Sequence, residues 1–91
     1  MYYLLIRKRD PDYMFKGRSA DYCIYGNGYR TGWWGYTIEE AIRYYNNPKE
    51  GIRTGTLEEC IINGGNHIIH VFPFEVLDAN YIIDHHPEFF V

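Results

Sequence analysis

The sequence predicts an α+β domain: an antiparallel sheet of four or five strands with one or two short helices packed on one face. Three observations carry this. Aromatic and β-branched runs of strand length are punctuated by Gly, Pro, Asn and Asp. Two helix-start motifs stand in the middle of the chain. A length of 91 residues leaves room for a single hydrophobic core, so residues 1–91 are expected to form one domain.

The first element is the run Tyr2–Lys8 (YYLLIRK). Tyr2, Leu4 and Ile6 fall on one side of a strand and Tyr3 and Leu5 on the other. Apolar residues on both sides predict a central strand covered twice. Asp10-Pro11-Asp12 signals a turn, and Tyr13–Lys16 reads as a short partner strand. Asp21–Tyr25 is the next strand, and Gly26-Asn27-Gly28 supplies hairpin chemistry. Tyr29–Tyr36 reads as the returning arm, made irregular by Gly32 and Gly35.

Thr37-Ile38-Glu39-Glu40 is a capping box: the threonine oxygen accepts a helix-start N–H, and the glutamate three residues on reaches back. Ile38, Ala41, Ile42 and Tyr45 then share one helical face, and Asn46-Asn47-Pro48 stops the helix. Thr56-Leu57-Glu58-Glu59-Cys60-Ile61 repeats the pattern nineteen residues later, and Gly64-Gly65 ends it. Two matches are helix-start chemistry rather than a repeat array, which needs three or more units. Beyond Asn66 the chain returns to strand character. His67–Phe72 is followed by a break at Pro73, a resumed edge over Phe74–Leu77, a last strand at Tyr81-Ile82-Ile83 and an apolar tail, Pro87–Val91. The expected order is β-β-β-α-α-β-β.

With 46% apolar and 19% aromatic residues, disorder is excluded. No apolar stretch approaches the ~20 residues of a membrane helix, and the start of the chain lacks secretory-signal character. Cys23 and Cys60 are too few for a disulfide scaffold. A reduced cytoplasmic protein is therefore expected, with a Cys23–Cys60 bridge as the alternative.

The formal charge of −3 argues against general nucleic-acid binding. Its distribution is more informative. Residues 1–53 hold all nine basic residues and six acids, a net of +3, whereas residues 54–91 hold six acids and no Lys or Arg. Either the two signs interleave on folding, or the protein has a cationic and an anionic face able to steer a charged partner.

Chemical signatures are sparse. His67 and His70 are three apart, so on a strand they point to opposite sides. His85-His86 beside Asp84 lack zinc spacing. Cys60 lies on the apolar side of a helix and Cys23 in an aromatic strand, neither suited to nucleophilic catalysis. No catalytic residue, metal or cofactor is assigned. One alternative is a small-ligand module: the Gly-rich approach ends at the Thr37 helix start, where Arg30, Thr37 and Arg43 could hold a nucleotide or other anion. A metal-dependent or thiol enzyme is the third reading.

The richest constellation is aromatic. Tyr25, Tyr29, Trp33, Trp34 and Tyr36 are interleaved with Arg30 and glycine, residue types that dominate interface hot spots. Adjacent tryptophans in a strand face opposite ways, so one indole is expected to face solvent and to tolerate replacement by alanine.

Trp34-Gly35-Tyr36-Thr37-Ile38-Glu39-Glu40-Ala41-Ile42, after an N-terminal strand and a Gly-rich turn, resembles small phage and mobile-element proteins of the host-takeover or anti-defence type. The resemblance covers residues 1–47. It implies an inhibitor or modulator that acts by binding a host or defence protein complex.

The expected function is accordingly a non-enzymatic binding protein. A protein partner would be captured through Tyr29, Arg30, Trp33, Trp34 and Tyr36. An acidic face of Glu75, Asp78, Asp84 and Glu88 would meet a basic surface. Neither direct nucleic-acid binding nor a membrane is expected, and pairing into a homodimer is open to a small domain with apolar edges.

Overall fold

A computed structural model describes residues 1–8, 22–26, 31–62 and 68–90. The expected strand Tyr13–Lys16, the Asp10–Asp12 and Asn27–Gly28 turns, Tyr29, Arg30, His67 and the Gly64-Gly65 stop lie outside them.

The α+β class is as expected. Five strands, β1 (Tyr2–Lys8), β2 (Tyr22–Gly26), β3 (Gly32–Gly35), β4 (Ile52–Gly55) and β5 (Ile68–Phe74), form a sheet in the order β4-β3-β2-β1-β5. Each neighbouring pair is antiparallel. Three α-helices, α1 (Ile38–Asn46), α2 (Leu57–Ile62) and α3 (Ala79–His85), are followed by a 3-10 turn over Pro87–Phe90.

Strand alternation sorts the core into two halves. On one side, Leu4, Ile6, Ile24, Trp33 and Phe74 meet Ile38, Ala41 and Tyr45 of α1 and Ile82 of α3. On the other, Leu5, Cys23 and Trp34 meet Cys60 of α2, with Tyr3, Leu57 and Ile69 at the margin. The register makes this consistent: Leu4 opposes Ile24 and Leu5 opposes Cys23, while Ile24 and Cys23 oppose Trp33 and Trp34. Leu4 and Leu5 are both wholly buried, as a twice-covered central strand requires.

Three expectations are corrected. Helices cover both faces rather than one: α1 and α3 pack on the Trp33 side and α2 on the Trp34 side. The strand expected at Tyr81-Ile82-Ile83 is the middle of α3. There Asp78 accepts the Tyr81 N–H at 2.9 Å, and this N-cap starts a helix in a run whose β propensity suggested a strand. Pro73 does not break β5, which runs on to Phe74. As an edge strand, β5 tolerates a residue without an N–H. The structure also adds β4, so the order becomes β-β-β-α-β-α-β-α.

The two capping boxes differ in their chemistry. At α2 the box is complete: Thr56 Oγ1 accepts from the Glu59 N–H at 3.2 Å, and Glu59 Oε2 accepts from the Thr56 N–H at 3.1 Å. Gly55, at φ +106°, turns the chain from β4 into this cap, a conformation that suits glycine. At α1 only half the box forms. Thr37 Oγ1 accepts from the Glu40 N–H at 3.1 Å, but the Glu40 carboxylate instead accepts the Tyr44 hydroxyl at 2.8 Å.

That diversion has a measurable consequence. The hydrogen bond to Glu40, with lesser help from partial burial, raises the Tyr44 pKa above its ordinary value of 10.0, because ionisation would set a phenolate against a carboxylate. A folded-state pKa raised above the unfolded one contributes stability that is present below pH ~10 and lost as pH rises through the folded value. Tyr44→Phe should therefore lower stability at neutral pH and flatten its decline in alkali. Urea midpoints collected from pH 8 to 11.5 check this.

Candidate interaction surface

Trp33 and Trp34 sit on a four-residue strand between β2 and β4. Their side chains do point to opposite faces, but both are buried, each only 7% exposed. The expectation of one solvent-facing indole is thereby corrected. Trp33 is roofed by α1 and Trp34 lies in the cluster that α2 closes. The Arg7 guanidinium is stacked 4.4 Å from the Trp34 ring centroid, a cation–π contact that seals its outer side. Among the described residues neither indole N–H has a hydrogen-bond acceptor, so Trp33 is held by packing and Trp34 by packing and the Arg7 stack.

Of the aromatic group, Tyr36 is the described member that reaches solvent, at 46% exposure. It directly precedes Thr37, the α1 N-cap. Arg43 does not join it. Arg43 lies in the last turn of α1, where its guanidinium stacks 5.2 Å from the Tyr44 ring centroid and pairs with Glu50 at 3.3 Å. Thr37 Oγ1 is meanwhile engaged by the Glu40 N–H. The structure thus brings Thr37 and Tyr36 together at the helix start and leaves Arg43 at the opposite end.

The four acidic residues expected on one face, Glu75, Asp78, Asp84 and Glu88, are all exposed. Asp78 caps α3, whose inner side buries Ile82 with Ala79 and Ile83 beside it. The outer side carries Tyr81, Asp84 and His85, all exposed. Tyr81 and His85, one turn apart, stack with centroids 3.9 Å apart, and His85 Nδ1 lies 2.8 Å from the Tyr81 carbonyl oxygen. Glu75 and Val76 lead exposed into the helix, and Glu88 follows it in the 3-10 turn, 4.0 Å from His86 Nδ1. The His86 and Phe74 rings also meet edge to face with centroids 5.2 Å apart, which ties the end of α3 to the sheet. Glu75, Asp78, Asp84 and Glu88 are thus all exposed, as are the apolar side chains of Val76 and Tyr81.

No protein-family model, curated protein or solved structure matches this chain.

Among the described residues, no three His, Cys, Asp or Glu side chains gather as a metal would require, and no helix is long and apolar enough to cross a membrane. Reasoning from sequence underrated Val76 and Tyr81. The run Tyr81-Ile82-Ile83 reads as a strand, whereas the Asp78-x-x-Tyr81 cap spacing is the signal that places Tyr81 in the first turn of a helix.

Proposed function

We propose that this chain is a non-enzymatic binding protein that docks a basic protein surface through its C-terminal face. The observation that carries the reading is the exposure of Glu75, Asp78, Asp84 and Glu88, together with Val76 and Tyr81, in a half-chain with no Lys or Arg. Carboxylates of one sign steer a cationic partner and suppress wrong ones. An exposed tyrosine supplies contact area at low entropic cost, its ring already held by the stack on His85. A basic protein surface that normally holds nucleic acid is the partner chemistry that such a face fits. An inhibitor or modulator of a host or defence complex, acting in the cytoplasm, is the corresponding role.

The test is charge reversal at positions that do not cap a helix. Asp78 is left in place because it holds the Tyr81 N–H. The double variant Asp84→Lys/Glu88→Lys should fold normally yet retain at least ~10-fold less partner than the parent chain in a pull-down from the native cell, because rim charges govern association. Parent-chain capture should also weaken steeply with salt. Equal capture by both proteins, or capture insensitive to salt, would sink the acidic-face reading.

A further inference from the structure

We infer that Cys23 and Cys60 are a modification site: a buried dithiol that oxidises to an internal disulfide and locks α2 to the sheet. Cys23 lies on β2, the middle strand of the sheet, and Cys60 on α2, in the same small cluster with Leu5 and Trp34. Both thiols are wholly buried, and their sulfurs lie 3.9 Å apart. A disulfide needs about 2.05 Å. Side-chain rotation and a small shift of α2 can supply the difference, because α2 has only six residues.

The chain contains two cysteines, so only one internal pairing exists. Hydrogen peroxide is a sufficient oxidant. One sulfur, as thiolate, attacks a peroxide oxygen; the O–O bond breaks, water leaves and a sulfenic acid remains. The second sulfur displaces that oxygen as another water and forms the S–S bond. The two thiols lose two electrons and two protons, the electrons reducing the peroxide and the protons ending on the waters. Burial sets the order of events. Peroxide gains access when α2 lifts, a local opening suited to a short helix with Glu58, Glu59 and Ile61 in solvent. Reclosure brings the second thiol onto the sulfenic acid before further oxidation.

The bridge would enclose β3, α1 and β4 in a closed loop. Removing that much unfolded-chain freedom should raise Tm by roughly 10 °C or more. The experiment treats the native full chain with hydrogen peroxide, then measures intact mass, maps unreduced peptides and follows thermal unfolding. The expected result is a Cys23–Cys60 peptide, a mass lower by two hydrogens and a raised Tm, all reversed by dithiothreitol. Cys60→Ala should show none of these changes. Thiols still reduced when exposed Met1 has become sulfoxide would overturn the inference, as would sulfinic acids or intermolecular dimers in place of the internal bridge. A bridge that forms without raising Tm would refute the lock. These readouts on the unmutated chain stand even if Cys60→Ala folds poorly.

Discussion

Trp33→Ala and Trp34→Ala should each destabilise the domain by about 3–5 kcal/mol, the range for deleting a large aromatic side chain from a packed core. Small domains have only about 5–15 kcal/mol in total, so either variant should populate unfolded chain under mild conditions. The two indoles occupy different halves of the core, and neither N–H is hydrogen-bonded among the described residues, so the loss is mainly one of packing. Trp→Phe at the same positions should recover much of it, because Phe refills most of the cavity without burying an unsatisfied donor. Trp34→Ala additionally removes the ring on which Arg7 stacks and uncovers the two cysteines. It should therefore also speed thiol modification. Urea midpoints and thiol-labelling rates measure both effects. A wild-type midpoint for either alanine variant would mean that the indole is not structural after all.

Gly35→Ala should cost about 3 kcal/mol, and Gly35→Val should prevent folding. A β-carbon at Gly35 would stand 2.6 Å from the Ala41 backbone nitrogen and 2.9 Å from its Cα. These are main-chain atoms of α1, so no flexible side chain can yield, and the whole helix must slide off β3. Overpacking of this kind typically costs about 1–3 kcal/mol. The upper end applies because the displaced helix carries Ile38, Ala41 and Tyr45 into the main core. Glycine-to-alanine changes at permissive sites instead stabilise by about 0.4–1 kcal/mol. The sign of the shift in urea midpoint therefore decides the matter.

Legibility in the sequence followed the range of the interactions involved. The starts of α1 and α2 were readable because a cap is written within four residues, as in Thr37 to Glu40 and Thr56 to Glu59. β1 was readable because both of its faces are apolar. β4 went unseen: Ile-Arg-Thr-Gly is four residues long with one strongly apolar member, and it is a strand because β3 lies beside it. Tyr81-Ile82-Ile83 misled because local β propensity competes there with a cap and with the seat that Ile82 finds in the core. The tryptophans divided the same way. Alternation gave their opposite directions, but whether the second side was roofed depended on α2, which starts 23 residues beyond Trp34. The acidic residues were found readily, since an unbroken run of one sign in the second half of the chain needs no fold to be noticed.

One consequence of the strand order concerns time rather than energy. β1, from the very start of the chain, lies between β2 and β5 and pairs along its whole length with β5, from Tyr2 with Phe74 to Lys8 with Ile68. Sixty or more residues separate those partners, and closing so wide a loop is what slows folding. During synthesis, one flank of the opening strand must wait, its amides unmet, until residues 68–74 have left the ribosome. For that interval the waiting flank is an unpaired strand edge, the feature that makes incompletely folded chains prone to aggregate.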